Sequence, residues 1–90
     1  MRPTILIIED DVELAHLLKH HLERGGRYVV EIARTGEEGL RALSQRHPSA
    51  LILDVNLPEM NGFELCRRLR QESATRRLPI LMLTARTSES

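Results

Sequence analysis

The 90-residue chain has no tryptophan, and Tyr28 and Phe63 are its only aromatic residues, so the core it forms must be aliphatic. A single cysteine, Cys66, excludes an intramolecular disulfide and fits a reducing compartment. Net charge is absent as well: 13 Lys and Arg balance 13 Asp and Glu. No long-range field therefore draws the chain to a nucleic acid backbone or an anionic membrane. No apolar run approaches the ~20 residues needed to span a bilayer. Met1-Arg2-Pro3-Thr4 leads straight into Ile5-Leu6-Ile7-Ile8, which is too short for a signal peptide and is followed by no small-residue cleavage site. These absences predict a cytoplasmic domain that by itself binds neither nucleic acid nor membrane.

Apolar residues make up 41% of the chain, and its length supports one domain. A domain of this size buries roughly 60–65% of the surface its unfolded chain exposes, enough for a small core without staples. No internal repeat, low-complexity tract or linker interrupts it. Ile5–Ile8, Ala50–Leu53 and Pro79–Ala85 are nearly continuous apolar runs, the pattern of strands buried on both faces. Tyr28–Ala33 carries an internal Glu31 and reads as an edge strand partly open to water. Three helical patterns lie between the strands. The first follows Asp11, with Leu14, Leu17, Leu18 and Leu22 on one face, Lys19, His20, His21 and Arg24 near its negative end, and Gly25-Gly26 as a left-handed stop. The second opens on a Thr35–Glu38 capping box and runs to about His47, where Pro48 ends it. The third begins near Phe63 and runs through Leu65 and Leu69 to about Glu72. An alternating order of strands and helices predicts parallel strands joined by crossovers. If the mixed strand takes one edge, Ile80–Leu83 takes the other, although its composition belongs to a strand covered on both sides.

Two of these strands end on acids. Ile8 is followed by Glu9-Asp10-Asp11, and Leu53 by Asp54, which is followed in turn by Pro58 and Gly62 at loop spacing. In a parallel sheet both tips face the ligand crevice. Three carboxylates brought together there raise one another's pKa unless a counterion is present. An all-oxygen set without histidine or cysteine suits Mg2+, with Mn2+ as the alternative. Asp10 and Asp54 are the expected direct ligands, Glu9 is expected to act through water, and Asp54 is the candidate nucleophile.

These residues resemble the receiver domains of bacterial two-component response regulators. Ile5–Asp11 is similar to the family's first strand and acidic pair, Leu53-Asp54-Val55-Asn56-Leu57-Pro58 to its phosphoacceptor strand and loop, and Met60-Asn61-Gly62 to the turn into its third helix. Thr84-Ala85, 30 residues beyond Asp54, falls where the family has a hydroxyl residue followed by a small one. The resemblance implies an α/β fold over residues 1–90, a flavodoxin-like doubly wound parallel sheet with strand order 2-1-3-4. It also implies that Asp54 accepts a phosphoryl group from a sensor histidine kinase or phosphotransfer protein, that the Asn56 backbone carbonyl is a metal ligand, and that Thr84 hydrogen-bonds a phosphoryl oxygen. A complete receiver continues through a fourth helix, a fifth strand carrying a lysine, and a fifth helix. Lys19, the only lysine in the chain, lies in the first helix and cannot stand in for it. The expected domain is thus a receiver incomplete at its C-terminus, with impaired phosphoryl transfer if the chain ends at Ser90.

Two rival functions fit parts of this pattern. A phosphorylation-independent interaction module would form a homodimer through the Ile80–Leu83 edge. An aspartyl-phosphate-forming hydrolase of the haloacid dehalogenase kind would want a second acid two residues after the nucleophile, where this chain has Asn56. Other suggestive residues read as structural. His16 and His20 have zinc-compatible helical spacing but no HExxH pattern, Cys66 neighbours inward-facing Leu65, and Arg67, Arg68, Arg70, Arg76 and Arg77 complement a helix C-terminus.

Overall fold

In the computed structural model, which describes residues 2–83, four strands and three helices alternate as expected. They are β1 (Thr4–Ile8), α1 (Val12–Glu23), β2 (Val29–Ala33), α2 (Gly36–Arg46), β3 (Ala50–Asp54), α3 (Gly62–Gln71) and β4 (Ile80–Leu83). All strand pairings are parallel and the sheet order is β2-β1-β3-β4. Ile8 sits opposite both Ala33 and Leu53, so the C-terminal tips of the three strands come level with one another. Among the described residues no helix is long and apolar enough to cross a membrane.

The period of two along β1 divides the core. Leu6 and Ile8 join Leu43 of α2 and Leu65 and Leu69 of α3 on one face, while Ile5 and Ile7 join Val30 and Ile52 on the other, against Leu18 and Leu22 of α1. The sheet is therefore wrapped on both sides. Leu6, Ile7, Ile8, Leu51, Leu53 and Leu65 are essentially inaccessible, and each such burial stabilises the fold by about 1.5–3 kcal/mol. The uninterrupted aliphatic runs of β1 and β3 are what two covered faces require.

Several local details depart from expectation. Leu17 is 53% exposed, and Ala15, at 0%, takes the buried place. Leu14, Ala15, Leu18 and Leu22 span one arc of α1, and Leu17 lies roughly 115° from its centre at 100° per residue. The small Ala15 side chain lets the helix approach the sheet where a leucine would hold it off. Of the Gly25-Gly26 pair only Gly26 is left-handed (φ 73°), and Arg24 still has helical angles. The Thr35 hydroxyl accepts from Glu38 N–H at 3.0 Å as expected, but the Glu38 carboxylate reaches one residue further back, to Arg34 N–H at 2.7 Å. α2 ends at Arg46, and His47, ahead of Pro48, leaves the helix through a left-handed conformation (φ 50°). Thr84 and Ala85, expected to finish the last strand, lie outside the described residues.

The two sheet edges differ. Val29 N–H donates to Pro3 O and Ala33 O accepts from Glu9 N–H, on either side of β1, which turns the N–H and C=O of Val30 outward. Glu23 of α1 accepts the Val30 N–H at 2.9 Å, and Lys19 donates to the Val30 carbonyl at 2.8 Å while pairing with Glu23 at 3.1 Å. Glu31 pairs with Arg46 on the same edge. On β4, Leu81 is 60% exposed. The loop leading into β4 is organised by Arg70, whose guanidinium donates to the carbonyls of Arg76 at 2.9 Å and Leu78 at 2.7 Å. That role for Arg70 was not legible in the basic run.

Candidate metal centre at the strand tips

The site begins where the buried strands stop. Glu9 N–H donates to Ala33 O at 2.9 Å, prolonging the β1–β2 ladder by one residue and carrying the Glu9 side chain under the tips. The next two residues turn into α1, with Asp11 as its N-cap accepting from Leu14 N–H at 3.1 Å. Asp54 is the last residue of β3, between β1 and β4, and only 3% of it is exposed. Its Oδ1 accepts the Asn56 N–H at 3.0 Å. Ligand-capable oxygens of Glu9, Asp10 and Asp54 all lie within 4.8 Å of one another, with Glu9 and Asp54 buried and Asp10 exposed.

This cluster lacks a counter-charge among the described side chains. Glu9 Oε2 accepts from Asp11 N–H at 3.0 Å, but Glu9 Oε1 is buried and meets no hydrogen-bond partner among the described residues. Burial pushes the Glu9 carboxyl up to about 7; the Asp11 N–H opposes the shift, and the Asp54 and Asp10 carboxylates add to it. A buried carboxylate oxygen with no hydrogen bond is costly, and a proton or a cation removes the cost. The donor set is all oxygen, which fits a hard divalent ion such as Mg2+ or Mn2+ and disfavours zinc or copper.

The loop after Asp54 is closed at its base. Gly62 N–H donates to Val55 O at 2.8 Å, and Asn56 bridges to Asn61. A Cβ on Gly62 would press on the Asp54 carbonyl oxygen and come within 2.7 Å of Val55 Cα, so glycine is required for this approach. Asn61 then caps α3, accepting from Phe63 N–H at 2.7 Å. At the loop's tip Glu59 accepts the Gly36 N–H at the start of α2. Nothing in the sequence signalled Glu59, because its partner lies 23 residues earlier in the chain. The expected site residues Glu9, Asp10, Asp54 and Asn56 are therefore brought together, and Thr84 lies outside the described residues.

Residues 5–90 match the family model described as the response regulator receiver domain. The chain belongs to the response regulator receiver family. Receivers are signalling modules rather than conventional enzymes, their partners are histidine kinases, and an acidic cluster like Glu9, Asp10 and Asp54 is typical of the receiver Mg2+ site. This receiver is 51% identical over 90 residues to the phosphate regulon transcriptional regulatory protein PhoB of Rhizobium meliloti, covering all of this chain and 39% of that protein. It is 42% identical to the alkaline phosphatase synthesis transcriptional regulatory protein PhoP of Bacillus subtilis, covering 99% of this chain and 36% of that one. The chain thus spans under two fifths of these curated relatives. Among solved structures, the N-terminal domain of a response regulator receiver protein from Methanoculleus marisnigri superposes with a TM-score of 0.87 at 38% identity, covering 97% of this chain and 70% of that one. The chemotaxis response regulator CheY4 of Vibrio cholerae gives 0.87 at 34% identity, covering 98% and 72%.

Proposed function

We propose that this receiver is a phosphorylation-controlled switch in which Asp54 is the phosphoacceptor. The supporting observation is the buried Asp54 carboxylate at the tip of an interior strand, within 4.8 Å of Glu9 and Asp10 oxygens, with one Glu9 oxygen left without a hydrogen-bond partner among the described residues. Asp10, Asp54 and the Asn56 carbonyl would hold Mg2+ or Mn2+ directly, with Glu9 acting through water. When bound, the cation supplies neutralisation of phosphoryl and carboxylate charge, the main requirement of a loose phosphoryl-transfer transition state.

The chain's own residues do the rest. An Asp54 oxygen attacks the phosphorus of a phosphohistidine on the sensor kinase or phosphotransfer partner. A P–O bond forms as the P–N bond breaks, and the departing imidazole takes up a proton from water. The Asn56 N–H holds Asp54 Oδ1 and so sets which oxygen is free to attack. Thr84 is assigned the phosphoryl hydrogen bond. The phosphoryl group adds about −1.5 to −2 charge to a site already rich in carboxylates, and rearrangement around that charge alters surface contacts.

The test is incubation with acetyl phosphate and Mg2+ followed by intact-mass measurement. A gain of one phosphoryl mass, absent in Asp54→Asn, is expected. No gain at any Mg2+ concentration would favour the second reading, a phosphorylation-independent module that pairs through the β4 edge. Light scattering showing a monomer would remove that second reading.

A further inference from the structure

The β3–α3 loop is tied at two levels. Its base is held by Gly62 N–H to Val55 O and by the Asn56–Asn61 bridge, and buried Leu57 anchors one flank. Its tip is held by α2. Glu59 accepts the N–H of Gly36, the first residue of that helix, while the Thr35 side chain accepts from Glu38 N–H and the Thr35 carbonyl from Gly39 N–H. A carboxylate from another element therefore completes the cap of α2, where the helix dipole favours negative charge. Met60 closes over the same spot: a Cβ on Gly36 would come within 2.6 Å of Met60 Sδ and 3.0 Å of Glu59 Oε2. The open face of Gly36 is filled by the flexible ends of the Met60 and Glu59 side chains.

The tie leads back to the acidic cluster within a few residues. Glu59 is three residues from Asn56, whose N–H orients Asp54 Oδ1. The tip joins Asn56 through only Leu57 and Pro58 and joins Asn61 through Met60, so displacing it pulls on both arms of the Asn56–Asn61 bridge. We infer that Glu59 is a positioning residue: by latching onto the α2 N-terminus it holds Asn56 and Asp54 in register, and it couples occupancy of the strand-tip site to α2. This inference rests on the reading of Asp54 and its neighbours as the metal and phosphoacceptor site.

Three variants test it: Glu59→Ala removes the acceptor, Glu59→Gln keeps an amide oxygen in the same place, and Gly36→Ala crowds the side-chain ends of Met60 and Glu59. Two measurements are made on each, the Mg2+ dissociation constant by calorimetric titration and the backbone amide resonances of Gly36 and Asn56 without metal. Glu59→Ala is expected to shift both resonances while leaving those of Leu6 and Leu53 in place, and to weaken Mg2+ binding by at least about fivefold; Gly36→Ala, which displaces only side-chain ends, is expected to shift the Asn56 resonance in the same direction by less. Glu59→Gln should stay within about twofold of the native protein. A native Mg2+ affinity and an unmoved Asn56 resonance in Glu59→Ala would overturn the latch, as would changes spread evenly through β1 and β3. If the native protein binds no Mg2+, the functional reading falls by itself, and the Asn56 resonance still reports whether the latch orders the loop.

Discussion

Glu9 and Glu23 carry the same side chain with the same ordinary pKa of 4.5, and the fold drives them in opposite directions. Glu23 lies at the β2 edge, where the Val30 N–H and then the Lys19 ammonium hold its carboxyl below the usual value. Every partner it has favours the charged form, and the assembly is a strut between α1 and β2. Glu9 lies at the tip of β1, where burial dominates and Asp54 and Asp10 add repulsion, raising it to about 7. A carboxylate matched by hydrogen bonds and an opposite charge is explained by the folded chain alone. One buried with an unpartnered oxygen among other acids calls for a proton or a cation.

The largest expected effect comes from making the two alike. Glu9→Gln removes the charge that burial penalises, so the metal-free variant should unfold at higher denaturant concentration than the native protein at pH 8. Its Mg2+ affinity should fall by about tenfold or more, the usual consequence of losing an outer-shell partner. Urea titrations with and without Mg2+ check both halves.

Next in size is the pH dependence of the native protein without metal. Because the folded Glu9 carboxyl titrates near 7 and the unfolded one near 4.5, the native state binds more protons between those values. Stability is therefore greatest below about pH 4.5 as far as Glu9 is concerned and declines as pH rises to about 7. Saturating Mg2+, which favours the ionised carboxylate, should flatten that decline. A metal-free stability profile that is level between pH 5 and pH 8 would be inconsistent with the strand-tip environment described above.

The smallest effect belongs to the strut. Glu23 has a depressed folded pKa, so its contribution is present above the unfolded value of 4.5 and is lost as pH falls through the folded value, the reverse of Glu9. Glu23→Gln should cost little at pH 7, since an amide oxygen still accepts from Val30 N–H, and should remove part of the native protein's loss of stability on acidification. Amide exchange at Val30 together with unfolding at pH 3–5 measures both. A large loss at pH 7 would mean that the exposed Lys19–Glu23 pair contributes far more than such pairs usually do.

The fold was legible in the sequence to the extent that it depends on residues near one another in the chain. The aliphatic runs Ile5–Ile8 and Ala50–Leu53, each closing on acids, placed the interior strands and their tips, and Thr35 marked the start of α2. Contacts between distant segments were not legible. Periodicity placed Leu17 on the inner face of α1, but it cannot register how closely a helix sits on a sheet, and Ala15 was the residue that fitted. Glu59 gave no signal because the amide it caps belongs to another helix, and the joint role of Lys19 and Glu23 was not legible because the edge they cover forms only when β2 docks on β1. By itself the sequence determined the order of elements, the parallel sheet and the acids that must stand at its tips, since local hydrophobic pattern and turn chemistry govern these. Only the tertiary structure decided which acids were buried, which oxygen was left unpartnered and which glutamate was pushed up or down. Those outcomes depend on desolvation and on charges contributed by segments far apart in the chain.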